Sequence, residues 1–266
     1  PSGTIADLKV AAQQLLGQRF LRLVAAEGRL LDPTETLSLC GLQDGDCLTV
    51  VAQQPKIAST RHAFAFWCVG GDRIITWGDP SDGGDSSGVR DQLRNVQQIS
   101  GTGHAFAAIL ASDGSVVTWG LASLGGDSSG VQDQLKNVQQ ICGTNYAFAA
   151  VLVHGSVVTW GHPDYGGDSS TVQDQLRNVQ RICNTARAFA AILADGSVVT
   201  WGRPNHGGNC SKVREQLRNV QQIYGTDNAF AAILADGTVV TWGHQNHGGD
   251  SSSVQDQFSF VDRKSV

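Results

Sequence analysis

The chain has 266 residues, 41% of them hydrophobic, enough for two modest domains or one large one with a real core. Its net charge of −5 and pI near 5.7 supply no basic field for nucleic acid or an anionic membrane, and no apolar run approaches the roughly 18 residues of a membrane span. Nucleic-acid binding and direct membrane insertion are therefore excluded as expectations, while the compartment stays unknown: the chain begins at Pro1, holds no methionine and shows no signal peptide, so its native start and any targeting segment are expected to be missing.

The opening run Pro1-Ser2-Gly3-Thr4-Ile5-Ala6-Asp7 holds Thr4 and Asp7 at a spacing close to a capping box, in which side-chain oxygens take up the free amides of a first helical turn. Ile5, Leu8, Ala12 and Leu15 recur at helical spacing and Gly17 is a natural stop, which predicts a helix of about three turns. Phe20-Leu21-Arg22-Leu23-Val24, the turn Glu27-Gly28, Leu30-Leu31-Asp32, Thr36-Leu37 and Cys47-Leu48-Thr49-Val50-Val51 follow in order. The series resembles ubiquitin from its Pro-Ser-x-Thr-Ile helix start onward, with Arg22-Leu23-Val24 in place of Arg-Leu-Ile and Thr36-Leu37-Ser38 matching too. The resemblance implies a small α+β ubiquitin-like (β-grasp) module over residues 1–54, incomplete because it lacks the first hairpin of that fold. With no terminal Gly-Gly, it implies a built-in domain and not a conjugated tag. Val24, or Ala25 by a gap-free count, would fall on the face that ubiquitin offers to partners; a sheet-core role for Val24 is the competing reading.

Residues 55–266 carry five copies of one unit. Thr-Trp-Gly recurs with tryptophans at Trp77, Trp119, Trp160, Trp201 and Trp242, spaced by 42, 41, 41 and 41 residues. Around most of them the same segments return in order: Ala-Phe-Ala, a turn, Val-Val-Thr-Trp-Gly, a Gly-Gly-Asp-Ser-Ser loop, then Gln-Leu and Asn-Val-Gln-Gln-Ile. Ala188 to Leu193, Asp195-Gly196 and Ser197 to Trp201 read as a hairpin, because glycine supplies the positive φ of a tight turn. Beyond the loop, Ser170 with Gln173, Ser129 with Gln132 and Ser252 with Gln255 fit a capping box, so a short helical turn is expected there. Asn137-Val138-Gln139-Gln140-Ile141 suits either a strand or a continuing helix by periodicity alone. A single hairpin leaves an apolar face that only a stacked neighbour covers. Trp77, Trp119, Trp160, Trp201, Trp242, Phe64, Phe106, Phe148, Phe189 and Phe230 are accordingly read as the structural core of the repeats.

The order Ala-Phe-Ala, Asp-Gly-x-Val, Thr-Trp-Gly, Gly-Gly loop and Val-x-Gln-Ile resembles the repeat of the regulator-of-chromosome-condensation family, with Asp195 to Gly202 as the most specific stretch and residues 56 to 261 covered. The resemblance implies a mainly β fold, a β-propeller or a partly open β-solenoid of five repeats, and a strand for Val-Gln-Gln-Ile. The repeats are shorter than the family norm and only five are present where seven blades are usual. Lys56 to Thr60 aligns with Gln98 to Thr102, so closure would lay the first strand beside Phe258 to Val261; the alternative is that each end caps a free edge.

The seven histidines mostly occupy variable positions: His104 is answered by Tyr146, Arg187 and Asn228, and His206 by Tyr165. Each Asp-Ser-Ser loop offers one carboxylate where calcium wants about six or more oxygens. Cys40, Cys47, Cys68, Cys142, Cys183 and Cys210 form no Cys-x-x-Cys pair and are read as reduced. No catalytic, cofactor-binding or metal residue is expected, and the chain is read as no enzyme.

The four-residue windows 121–124, 162–165, 203–206 and 244–247 differ between near-identical repeats and are the candidate partner contacts: Leu121, Leu124, His162, Tyr165, Arg203, His206, His244 and His247. The expected function is a non-catalytic protein-protein interaction scaffold, or an accessory subunit of a large multisubunit complex. The family resemblance implies an alternative, a regulator of a small GTPase or of ubiquitin transfer.

Overall fold

The computed structural model describes residues 3–17, 21–69, 71 and 73–262. Pro1, Ser2 and Phe20 of the expected N-terminal elements thus lie outside the described residues. The first helix, Ile5–Leu16, starts as the sequence predicts: Thr4 Oγ1 accepts the Asp7 amide, the Asp7 carboxylate accepts the Thr4 amide at 2.9 Å, and Gly17 closes the helix at φ 64. Ile5 packs with Leu23, Ala25 and Leu31 against an antiparallel pair, Leu21–Val24 with Thr49–Ala52. Ala25 is buried in that small core, while Val24 is half-buried.

Five antiparallel three-stranded sheets follow, one per repeat, each with its strands in sequence order. Sheet 1 is Pro55–Ser59, Ala63–Cys68 and Ile74–Gly78; sheet 2 is Val96–Gly101, Ala105–Leu110 and Val116–Gly120. Sheet 3 is Val138–Gly143, Ala147–Leu152 and Val157–Gly161; sheet 4 is Val179–Asn184, Ala188–Leu193 and Val198–Gly202; sheet 5 is Val220–Gly225, Ala229–Leu234 and Val239–Gly243. The ambiguous Val-Gln-Gln-Ile segment is a strand, and the reason lies one residue upstream. Asn95, Asn137, Asn178 and Asn219 sit at φ 53 to 55, a left-handed conformation that breaks a helix and that asparagine tolerates better than other side chains.

The expected capping box after the Gly-Gly loop does not form. Asp168 accepts the Ser170 amide at 2.8 Å, and the buried Ser169 hydroxyl donates to Gln173 Oε1 at 2.7 Å, whose amide in turn donates to the Val157 carbonyl at 2.9 Å. The segment is therefore a 3-10 turn tied to the sheet, Gln173–Gln175, and not a capped helix.

Alternation along the middle strand gives each sheet two apolar faces. Phe148, Ala150, Leu152, Val158 and Trp160 of sheet 3 meet Ala105, Ala107, Ile109 and Val116 of sheet 2. The same aromatic-on-alanine contact recurs between sheets 3 and 4 and between sheets 4 and 5. Phe106 and Trp119 of sheet 2 likewise cover Ala63, Ala65 and Trp67 of sheet 1. Within each aromatic face the Phe ring stacks on the Trp ring at 5.2 Å, and the indole donates to the preceding loop: Trp119 to Gly83, Trp160 to Gly125, Trp201 to Gly166 and Trp242 to Gly207, at 3.0 to 3.1 Å.

Of the ten core aromatics, eight are buried and two are not. Phe64 and Trp77 stay 45% exposed, because among the described residues no repeat sheet precedes sheet 1 to cover its aromatic face. Ring closure by strand pairing is likewise absent: among the described residues no strand joins sheets 1 and 5, and Ser252–Asp262 is 3-10 helix instead of a strand beside Pro55–Ser59. The array is open.

The first strands of successive sheets lie side by side, linked by Ser100 Oγ to the Ile141 carbonyl (2.9 Å), Cys142 Sγ to Ile182 (3.2 Å) and Cys183 Sγ to Ile223 (3.1 Å). Burial, with the nearby Cys183 thiol, pushes the Cys142 thiol up to about 12, so it is not a thiolate at neutral pH. Cys47 is exposed. Mass-resolved alkylation of the native protein at pH 8 is expected to label Cys47 at least tenfold faster than Cys142, with Cys142 reacting only in denaturant.

Candidate functional site

Each Trp-Gly leads into a short 3-10 turn: Pro80–Asp82, Ala122–Leu124, Pro163–Tyr165, Pro204–His206 and Gln245–His247. A buried threonine locks the turn to the start of the middle strand. Thr144 Oγ1 accepts the amides of Tyr146 (3.2 Å) and Ala147 (3.0 Å) and reaches the Tyr165 carbonyl at 3.3 Å; Thr185 repeats this with the His206 carbonyl at 2.9 Å. Thr102 and Thr226 make the same bond to the Leu124 and His247 carbonyls, so in these four repeats the last residue of the turn is held opposite the variable residue two places after the threonine.

The pairs that result form a continuous row across the repeats. His62 Nδ1 meets Asp82 at 2.6 Å, and the other oxygen of Asp82 meets His104 Nδ1 at 2.9 Å. His104 stacks toward Tyr146 at 6.2 Å, and Tyr146 lies 4.6 Å from Tyr165. Arg61 and Arg187 lie over the Tyr146 ring at 5.8 and 5.9 Å, while Arg187 and Arg203 flank the Tyr165 ring at 5.7 Å. Arg203 also donates to the Tyr165 hydroxyl at 3.3 Å, and Arg187 donates to His206 Nε2 at 3.1 Å. Further along, Asn228 meets His247 at 2.8 Å and His244 stacks on His247 at 4.2 Å.

Of the residues expected in the partner-contact windows, His162, Tyr165, Arg203, His206, His244 and His247 join this row. Leu121 is exposed and Leu124 half-buried, with no polar role. His206 is buried at 9% exposure, below Arg187, so it supports the surface instead of forming it. Arg61, Asp82, His104, Tyr146, Arg187 and Asn228 were missed as members. For His104, Tyr146, Arg187 and Asn228 the signal was a second variable column, two residues after the threonine of each repeat; Asp82 ends the first repeat's own loop window, and Arg61 stands one place before that column.

Three ionisations are set by the row. Burial raises the Asp82 carboxyl, but the hydrogen bonds from His62 and His104 and their charge outweigh it and leave the group below its ordinary value. Burial likewise raises the Tyr146 phenol, and Arg187 and Arg61 overturn that to a net lowering. The His206 imidazole is lowered by burial first and then by the charges of Arg187 and Arg203, which keeps it neutral as the acceptor of the Arg187 hydrogen bond. Since the folded-state pKa of Asp82 is depressed, its contribution to stability is complete above the ordinary 3.8 and is lost as pH falls through the lower folded value. The stability advantage of the wild type over Asp82→Asn, read from urea midpoints, is expected to be present at pH 5 and to shrink as the pH falls below 3.8.

Among the described residues no helix is long and apolar enough to cross a membrane, and no group of three or more His, Cys, Asp or Glu converges as a metal site. No protein-family model matches the sequence, and no curated protein matches it. Solved structures do match in fold. Yeast RCC1 (Prp20), in its complex with Kap60, aligns at TM-score 0.50 and 15% identity over 84% of this chain and 64% of that one. Prp20p from Saccharomyces cerevisiae in a second structure gives 0.48 and 14% over 84% and 66%, and human WBSCR16 gives 0.46 and 17% over 74% and 63%. The repeats are thus mainly β and similar in fold to RCC1, and the chain spans less than two thirds of the length of each of these three proteins.

Proposed function

We propose that this chain is a non-catalytic protein-interaction scaffold, or a fixed accessory subunit, whose partner docks on the row of loop-end side chains through an acidic surface. One observation carries the reading: Arg61, Arg187 and Arg203 interleave with Tyr146 and Tyr165, five residues that three repeats bring to one place. Arginine and tyrosine dominate binding hot spots, since each offers a large contact area with a polar tip. Arg187 Nε and His206 Nδ1 are buried without a hydrogen-bond partner, a cost that rearrangement on binding would relieve. The complex of yeast RCC1 (Prp20), a protein of similar fold, with Kap60 supports a protein partner. The N-terminal unit, a capped helix on an antiparallel strand pair, is read as a built-in ubiquitin-like module and offers a second docking surface.

Tandem affinity purification of the full chain tests the reading. The wild type is expected to retain its stoichiometric partner, and Arg187→Glu with Arg203→Glu to lose it while the thermal midpoint moves little. Unchanged recovery would remove the row as the docking site. Nucleotide exchange on small GTPases, or ubiquitin discharge, stimulated by the purified chain would replace the scaffold by a regulator.

A further inference from the structure

We propose that the uncovered faces of sheets 1 and 5 are the two halves of a fifth junction, made head to tail between two copies of this chain. The template is internal. At each of the four junctions a Phe-Trp face from one sheet enters an alanine-rich face of the sheet before it. Its indole donates to a loop glycine carbonyl of the earlier repeat. A backbone amide of the earlier repeat donates to the later one: Arg61 to Gly103, Gly103 to Asn145, Asn145 to Ala186 and Ala186 to Asp227.

Sheet 1 carries the entering half, and among the described residues no alanine-rich face receives it. Phe64 stacks on Trp77 at 5.3 Å with the geometry of the four buried pairs, yet both are 45% exposed, and Ile57 and Ile75 on the same face are 61% and 57% exposed. Sheet 5 carries the receiving half, and among the described residues no aromatic face enters it. Ala231 and Ile233 are half-buried where Ala107, Ala149 and Ala190, and Ile109, Val151 and Ile192, are sealed. A methyl group built on Gly83, Gly125, Gly166 or Gly207 would strike the next Phe ring at 2.4 to 2.7 Å, whereas at Gly248 it meets nothing within 4 Å. Phe258 stands half-buried where Leu93, Leu135, Leu176 and Leu217 are sealed.

The polar groups are orphaned in matching pairs. Among the described residues the Trp77 indole and the Asp227 amide have no acceptor, and the Gly248 and Arg61 carbonyls have no such donor. Phe66 departs from the pattern, standing where the other repeats have alanine, and with Ile75 it lines a cleft against Ile5, Leu21 and Leu31 of the N-terminal unit. The free half-junction is thus concentrated at the loop end, around Phe64 and Trp77. A face so matched to its opposite end on the same chain selects a second copy as its occupant, in a heterologous contact that builds rings or filaments.

Sedimentation velocity of the full chain over a hundredfold concentration range tests this. The wild type is expected to grow in mass with concentration. Trp77→Arg and, separately, Ile233→Asp should each leave a monomer, with at least tenfold weaker association, and mixing the two should restore a single dimer through the one intact pair of faces. Ala231→Lys replaces Ile233→Asp if circular dichroism shows that the latter unfolds. A wild type that stays monomeric at every concentration overturns the proposal, including the case in which Trp77 is shielded by closure within one chain. Growth that survives both variants overturns it too.

Discussion

Truncating Phe148 to alanine is expected to cost about 3–5 kcal/mol, the range for removing a buried aromatic ring from a core that collapses only in part. Phe148 is 0% exposed, stacks on Trp160 and presses against the bare backbone of Gly125. Its loss leaves a void between sheets 2 and 3, in the middle of the array, so the two halves should unfold at separate denaturant midpoints. Phe64→Ala removes the same ring from the same position one repeat before Phe106, where no sheet covers it, and should cost less than about 1 kcal/mol. Urea denaturation of the two variants measures the value of a filled junction against an unfilled one. Equal costs would mean that the Phe-Trp pair stabilises its own hairpin and not the contact between repeats.

Gly166→Ala is the second large effect. Gly166 closes its 3-10 turn at φ 100, which costs a side-chain-bearing residue about 1–2 kcal/mol. The added methyl also falls 2.5 Å from the Phe189 ring, and forcing it in costs a further 1–3 kcal/mol, by the usual range of about that size for overpacked cores. Gly248→Ala isolates the first of these costs, since Gly248 has φ 98 with nothing within 4 Å of the new methyl. Thermal midpoints should fall for both and further for Gly166→Ala. If the two fall equally, ring contact is not what selects the glycine.

The hairpins were legible because each is set by neighbours in sequence: Asp195-Gly196 turns, and β-branched and aromatic residues flank it. The N-terminal helix was legible for the same reason, as Thr4 and Asp7 satisfy each other locally. The loop segment misled because Ser170 is spaced from Gln173 as in a capping box, while the partner of Gln173 is Ser169 and a strand carbonyl 16 residues away. The exposure of Phe64 and Trp77 was invisible because both occupy the same repeat positions as the buried pairs, and what differs is that no repeat precedes theirs to cover them. The row of arginines and tyrosines was half legible. Tyr165 and Arg203 sit in variable windows that a repeat alignment exposes, but Arg187 reaches them only because Thr185 bridges two segments of its repeat.

The direction of the Trp-to-glycine bond carries a consequence for synthesis. Every repeat brings its own aromatic face and finds the matching surface on the repeat translated before it, as Trp160 does with Gly125. A nascent chain paused between repeats has therefore already sheltered each Phe-Trp pair it has made, apart from the one at Phe64 and Trp77. Sticky surface on the ribosome stays constant as the product lengthens, instead of accumulating until the last repeat emerges.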